Sequence, residues 1–242
     1  MTLKHYIRVF ISIHLAMAAL KIKDNHLKPT VFTVTAIFIL GAVSLLLPAK
    51  LPHQICFPVV ALCIASLWLT PWEITMALLF SAIGDLAGGC GNFIAQMGSF
   101  AIAHIFYIVF FIRRFIRKGT KMTSKMKGFL MMLAICICSL LALVFIRVVP
   151  SVPAGIVRTG AAVYAVIICT MLLTALMQRS SLYALGAMLF MISDFVLAWN
   201  MFVEPIQNAG VIMLSTYFAA QWLLFVRATP YRIAHPIHLM RF

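Results

Sequence analysis

The chain has 242 residues, of which 64% are hydrophobic and 10% are charged, and its mean hydropathy is +1.08. A soluble domain of this length cannot bury that much apolar surface, so the composition predicts a polytopic membrane protein. The formal net charge of +14 does not indicate nucleic-acid binding. The cations cluster at the ends of apolar segments, which is the pattern of charges that set membrane topology.

Eight apolar segments, separated by prolines and charged residues, predict an all-α bundle of about eight transmembrane helices. They lie at 29–47, 55–70, 72–88, 93–112, 128–146, 157–177, 182–200 and 208–226. We expect a basic and apolar N-terminal extension at 1–28, a single membrane domain at 29–226 and a basic tail at 227–242. Residues 1–20 are predicted either to lie on the membrane surface or to form a ninth span.

The loop at 113–127 is rich in lysine and arginine, so we expect it to face the cytoplasm. With eight spans, this orientation places both termini in the cytoplasm. Spans three and seven then run from the inside to the outside. The six cysteines follow no metal-ligand or redox spacing, so they predict neither a metal site nor a disulfide framework.

Two of the five acidic residues, Asp85 in span three and Asp194 in span seven, lie inside apolar segments. A carboxylate within a bilayer is costly and therefore marks a candidate functional site. At 1.5 Å per residue, both aspartates lie about 18–20 Å from the inner ends of their spans. This matching depth is what a carboxylate pair sharing one cavity requires.

Further polar side chains fall within the spans or at their outer ends, and they are candidate substrate-binding residues. They are His104, Tyr107, Tyr164, Asn200, Tyr217 and Gln221. Polar residues in a helical bundle also serve to hold helices together, so each has a structural interpretation beside the functional one.

Two acids in a low-dielectric cavity do not both ionise readily, so one can act as a general acid and the other as a base or ion stabiliser. Three functions use such a pair: peptide hydrolysis in the membrane, acid-catalysed cleavage of an acetal or enol ether, and proton-coupled transport of a lipid or small solute. The run Ala82-Ile83-Gly84-Asp85 lacks the first glycine of the G-x-G-D motif of intramembrane aspartyl proteases. The sequence also has no inverted repeat of the kind that many transporters carry.

Four segments, in this order and spacing, resemble the YhhN/TMEM86 family, the lysoplasmalogenases, over most of residues 50–226. They are FSAIGD at 80–85, FAIAHIFY at 100–107, GAMLFMISD at 186–194 and MLSTYFAAQ at 213–221. The chain departs from the family after Asp85, where Leu-Ala-Gly-Gly-Cys-Gly stands in place of bulkier residues. It departs again at Met201, where a basic residue is common. Both departures lie near the predicted outer mouth.

The resemblance implies an eight-span membrane hydrolase that cleaves the vinyl ether bond of lysoplasmalogens. The products would be a fatty aldehyde and glycerophosphocholine or glycerophosphoethanolamine, with no metal or organic cofactor. Asp85 and Asp194 would form the catalytic pair, one protonating the β-carbon and the other stabilising the oxocarbenium ion and orienting water.

Residue type and position predict contacts to the rest of such a substrate. His104, Tyr107 and Tyr164 would position water or the glycerol hydroxyl. Arg147 and Arg158 at the outer rim would either hold the phosphate or anchor the helix ends at the membrane interface. The implied partners are a lysophospholipid and the membrane lipids. The implied location is the inner membrane of a bacterium or the endoplasmic reticulum of a eukaryote.

Overall fold

The computed structural model describes residues 27–46, 55–119 and 123–234, and within these ranges the chain is helical without strands. The helices are α1 Leu27–Leu46, α2 Phe57–Leu69, α3 Trp72–Gly89, α4 Phe93–Lys118, α5 Ser124–Leu143, α6 Ile156–Leu176, α7 Ser181–Phe202 and α8 Ala209–Ala234. The prediction of an all-α protein is therefore confirmed. The predicted helix at 1–20 and the end of the tail, 235–242, lie outside the described residues.

Five helical segments in the described part of the chain are long and apolar enough to cross a membrane. They are Phe93–Lys118, Leu130–Ser151, Ile156–Leu176, Ser181–Phe202 and Ala209–Thr229. Two shorter apolar segments, Thr30–Ser44 and Phe57–Leu69, accompany them. The chain is an integral membrane protein, whereas the count of eight spans and the orientation stay predictions.

The ends of α3 and α4 show how the sequence determines where a helix begins and stops. Pro71 precedes the first residue of α3, where a missing N–H costs nothing. The side chain of Asn92 accepts a hydrogen bond of 3.1 Å from the backbone N–H of Ala95, which caps α4. Gly119 ends α4 in the left-handed conformation with φ of 55°, which favours glycine. The short connection leaves α3 and α4 packed as a helical hairpin.

The core is built from two helical hairpins, α3 with α4 and α7 with α8, and from α6, which packs on both α4 and α7. Aromatic side chains fill it, among them Tyr107, Phe110, Phe111, Tyr183 and Phe190, all of which are fully buried or nearly so. Large apolar side chains are also exposed on the outside of the bundle, as expected for a surface that faces lipid.

The chain after α5 is irregular. A π-helical turn at Val144–Val148 and a 3-10 turn at Val149–Ser151 follow the helix directly. The Arg158 guanidinium holds this segment by donating to the backbone carbonyls of Val152 at 2.9 Å and Pro150 at 3.2 Å. The predicted regular span at 128–146 therefore ends in a widened turn, a feature often found at functional sites.

Candidate active site

Asp194 on α7 lies at the centre of a polar cluster with Tyr164 on α6 and His104 on α4. The Tyr164 hydroxyl donates to Oδ2 of Asp194 at 2.6 Å. Nε2 of His104 lies 3.2 Å from the same oxygen and 3.0 Å from the tyrosine oxygen. The histidine side chain is fully buried, whereas that of Asp194 is 12% exposed.

The distances between heavy atoms in this cluster indicate which atoms donate hydrogen bonds. Because the hydroxyl hydrogen of Tyr164 points to Asp194, the Tyr164 oxygen is left as an acceptor. Nε2 of His104 must then carry a hydrogen to interact favourably with either oxygen. Nδ1 of His104 is buried and has no hydrogen-bond partner among the described residues. Two donors therefore converge on one carboxylate oxygen and leave the other oxygen outside the cluster.

A cavity of about 190 Å³ opens beside Asp194. Aliphatic and aromatic side chains from α4, α5, α6, α7 and the 144–152 segment line most of it, and the polar side chains in its lining are Gln96, Tyr164 and Asp194. Such a chamber suits an elongated, largely apolar ligand whose reactive group lies beside the Asp194 carboxyl.

Asp85 on α3 belongs to a second cluster. Tyr217 donates to Oδ2 of Asp85 at 2.9 Å, and Nε2 of Gln221 donates to the Tyr217 oxygen at 3.2 Å. The Tyr107 hydroxyl donates to Oε1 of Gln221 at 2.7 Å. Each of the four side chains in this cluster is at most 4% exposed. The cluster joins α3, α8 and α4 through polar contacts inside the bundle.

Two phenylalanines lie between the clusters. The ring of Phe190 is 4.5 Å from the His104 ring and 5.3 Å from the Tyr217 ring. Phe100 packs on Phe190 at 6.2 Å and on Tyr217 at 5.7 Å. A Cβ on Gly84 would lie 3.1 Å from the Phe100 ring, so the glycine lets this ring approach α3. Asp85 is not among the residues that line the cavity.

The sequence-predicted candidates thus divide into three sets. His104 and Tyr164 contact Asp194. Tyr107, Tyr217 and Gln221 belong to the hydrogen-bonded cluster of Asp85. The other candidates lie outside both clusters: Asn200 accepts from the backbone N–H of Ile206 at 2.9 Å, Arg147 is exposed on the π-helical turn, and Arg158 braces the neighbouring segment.

Gln96, Phe93 and Phe202 line the cavity but were not among the predicted substrate-binding residues. Gln96 carried a signal, because it is a polar residue in the first turn of an apolar helix. The two phenylalanines carried none, since an apolar span is rich in such residues. Within the described residues, no group of three or more His, Cys, Asp or Glu side chains could hold a metal ion.

Fold and geometry define a helical integral membrane protein with a carboxyl–tyrosine–histidine cluster at an apolar internal cavity. The chain belongs to the YhhN family, whose family model matches residues 54–228. The resemblance noted from the sequence motifs is therefore confirmed.

Curated relatives carry a named activity. Human lysoplasmalogenase TMEM86B is 31% identical over 156 residues, which cover 63% of this chain and 61% of the relative. Mouse lysoplasmalogenase TMEM86B is 30% identical, with 72% of this chain and 73% of the relative covered. Bovine lysoplasmalogenase TMEM86A is 29% identical, with 66% of each covered. The chain thus spans about three fifths of the length of the human relative. No solved structure matches it.

Proposed function

We propose that this protein is a lysoplasmalogenase. It hydrolyses the vinyl ether bond of a lysoplasmalogen and releases a fatty aldehyde and glycerophosphocholine or glycerophosphoethanolamine. One observation carries the proposal: the Asp194 carboxyl, bound by Tyr164 and His104, lines an otherwise apolar cavity. The name lysoplasmalogenase shared by the relatives supports the same reaction. It does not favour the alternative prediction of a transporter.

In the proposed first step, Asp194 is the general acid and transfers its proton to the β-carbon of the vinyl ether. The electron pair of the double bond forms the new C–H bond, and the ether oxygen shares the positive charge of the resulting oxocarbenium ion. As Asp194 becomes a carboxylate, the hydrogen bonds from Tyr164 and His104 stabilise the developing negative charge. These donors are in place before the reaction, so they need little reorganisation.

In the second step, water attacks the oxocarbenium carbon and gives up a proton to the Asp194 carboxylate. The hemiacetal then collapses: its hydroxyl loses a proton as the C=O bond forms, the C–O bond to glycerol breaks, and the ether oxygen takes up a proton as the glycerol hydroxyl. The water oxygen becomes the aldehyde oxygen. The balance is one water consumed, one C–O bond broken, and Asp194 returned to its protonated form.

Asp85 has a different proposed role, because it does not line the cavity. It accepts from Tyr217, whose ring packs on Phe190 and Phe100, and Phe190 in turn packs on His104. We assign Asp85 as a positioning residue that acts through these rings on the His104 and Asp194 cluster. Its carboxyl also satisfies a buried tyrosine hydroxyl, which would otherwise be costly.

The reaction is tested by aldehyde release from lysoplasmenylcholine and lysoplasmenylethanolamine with protein purified in maltoside detergent. In D₂O, we expect the aldehyde to carry one deuterium at the carbon next to the carbonyl, because that carbon takes its proton from the exchangeable acid. Immediate reduction to the alcohol followed by mass spectrometry measures this label. No aldehyde from either lipid would contradict the proposed function, and aldehyde without the label would contradict the protonation step.

Asp85→Asn is expected to lower kcat by about tenfold, the size typical of changes that act through intervening residues. Asparagine keeps an acceptor for Tyr217, so the variant should fold. Asp85→Leu removes that acceptor and should also lower the thermal midpoint, because the Tyr217 hydroxyl is left in an apolar site. If Asp85→Asn is folded but as inactive as Asp194→Asn, then Asp85 takes part directly in the reaction.

A further inference from the structure

The lining of the cavity includes an aromatic pair at the ends of two helices. Phe93 is the first residue of α4 and Phe202 is the last residue of α7, and both line the cavity. Their ring centroids are 5.3 Å apart with an interplanar angle of 76°. In this edge-to-face arrangement the two ring planes are nearly perpendicular to each other. Neither residue has a part in the proposed chemistry.

The position of the pair fits the far end of the substrate. Phe202 lies eight residues after Asp194 on α7, which places it about 12 Å farther along the helix axis. Gln96 lies eight residues before His104 on α4, at a similar height. An extended glycerophosphocholine group has a comparable length. With the vinyl ether at Asp194, the nitrogen of the head group therefore reaches the level of the aromatic pair.

The hydrogen-bond acceptors among the cavity-lining side chains at this level favour one kind of nitrogen. Among the cavity-lining side chains that the structure describes, Asp194 carries the carboxyl group, and it lies about 12 Å from this level. A primary ammonium carries three N–H donors and needs acceptors when it leaves water, and Gln96 offers one amide oxygen there. A quaternary ammonium has no N–H donor and binds well to the faces of aromatic rings. Arg158 holds the adjacent segment by donating to the backbone carbonyls of Val152 and Pro150, and Val152 lines the cavity.

We infer that Phe93 and Phe202 form a subsite for the quaternary ammonium of choline, so the protein prefers lysoplasmenylcholine over lysoplasmenylethanolamine. This inference rests on the proposed function and specifies its substrate. A subsite of this kind selects the head group without touching the bond that is cleaved. It therefore changes the ratio of kcat/KM values for two lipids that share one alkenyl chain.

The test is a competition between equal amounts of the two lipids in maltoside detergent, which has no choline group. The ratio of glycerophosphocholine to glycerophosphoethanolamine formed gives the ratio of kcat/KM values, whatever the fraction of active protein. We expect about tenfold preference for choline in the wild type, as cation–π contacts supply. Phe93→Leu and Phe202→Leu should bring the ratio close to one, whereas Phe202→Tyr should keep the preference.

Phe106→Leu is the matched control, because Phe106 stacks on Phe80 at 5.8 Å and does not line the cavity. It should leave the ratio unchanged. Wild-type protein without choline preference, or leucine variants that keep it, would overturn the subsite. If neither lipid gives aldehyde, the proposed function fails, and binding of lysophosphatidylcholine against lysophosphatidylethanolamine decides the subsite separately. Tighter binding of the choline lipid that is lost in Phe93→Leu supports it, and equal binding overturns it.

Discussion

Asp194→Asn is expected to lower kcat for aldehyde release by about 10³-fold, within the range that general acid–base catalysis supplies. An amide does not donate a proton to carbon at neutral pH, so the first step loses its acid. The hydrogen bond from Tyr164 remains possible, because the asparagine oxygen can take the place of Oδ2 of Asp194, which lies 2.6 Å from the Tyr164 oxygen. Initial rates with purified variant and wild-type protein measure the loss.

Folding of the Asp194→Asn variant is checked by its thermal midpoint and its elution from size exclusion in the same detergent. Asp194→Glu is the second variant, because it keeps the acid but moves it by one methylene. We expect partial activity from it, since a misplaced acid still donates with reduced efficiency. If a well-folded Asp194→Asn protein keeps more than a tenth of the wild-type rate, Asp194 is not the general acid.

The helices were largely predictable, because the prolines and charged residues that separate helices fall at the ends of the apolar segments in a membrane protein. The predicted span at 182–200 corresponds to Ser181–Phe202, and the one at 72–88 corresponds to Trp72–Gly89. Two helices extend beyond the predicted spans at 93–112 and 208–226, since α4 continues to Lys118 and α8 to Ala234. Hydropathy falls where the basic residues begin. Lysine and arginine are nevertheless good helix formers, so the helix continues beyond the end of the apolar segment.

The site was predictable only in part, because sequence gives the depth of a side chain but not the direction in which it points around the helix axis. Matching depth suggested that Asp85 and Asp194 share one cavity. In the structure, the rings of Phe100 and Phe190 lie between their hydrogen-bonded clusters. The rotation of α3 and α7 depends on side-chain packing between helices, as does the π-helical turn that shapes the cavity wall.

Tyr164→Phe is expected to lower kcat by about 10²-fold, comparable with the loss of one preorganised donor from an oxyanion hole. The change removes the 2.6 Å hydrogen bond to Asp194 and retains the ring that packs 5.5 Å from His104. Because this hydrogen bond strengthens as the carboxyl loses its proton, kcat should fall while KM stays nearly constant. Steady-state kinetics with either lipid separates the two constants.

Tyr183→Phe is the matched control for this tyrosine. Its hydroxyl is also involved in a buried contact, a 3.1 Å donation to the backbone carbonyl of Arg227, but Tyr183 does not line the cavity. This variant should keep kcat and lose only stability. In the Asp194→Asn background, Tyr164→Phe should cost little further activity, because the charge that the tyrosine stabilises no longer develops. Full additivity of the two losses would instead show that Tyr164 acts on the substrate independently of Asp194.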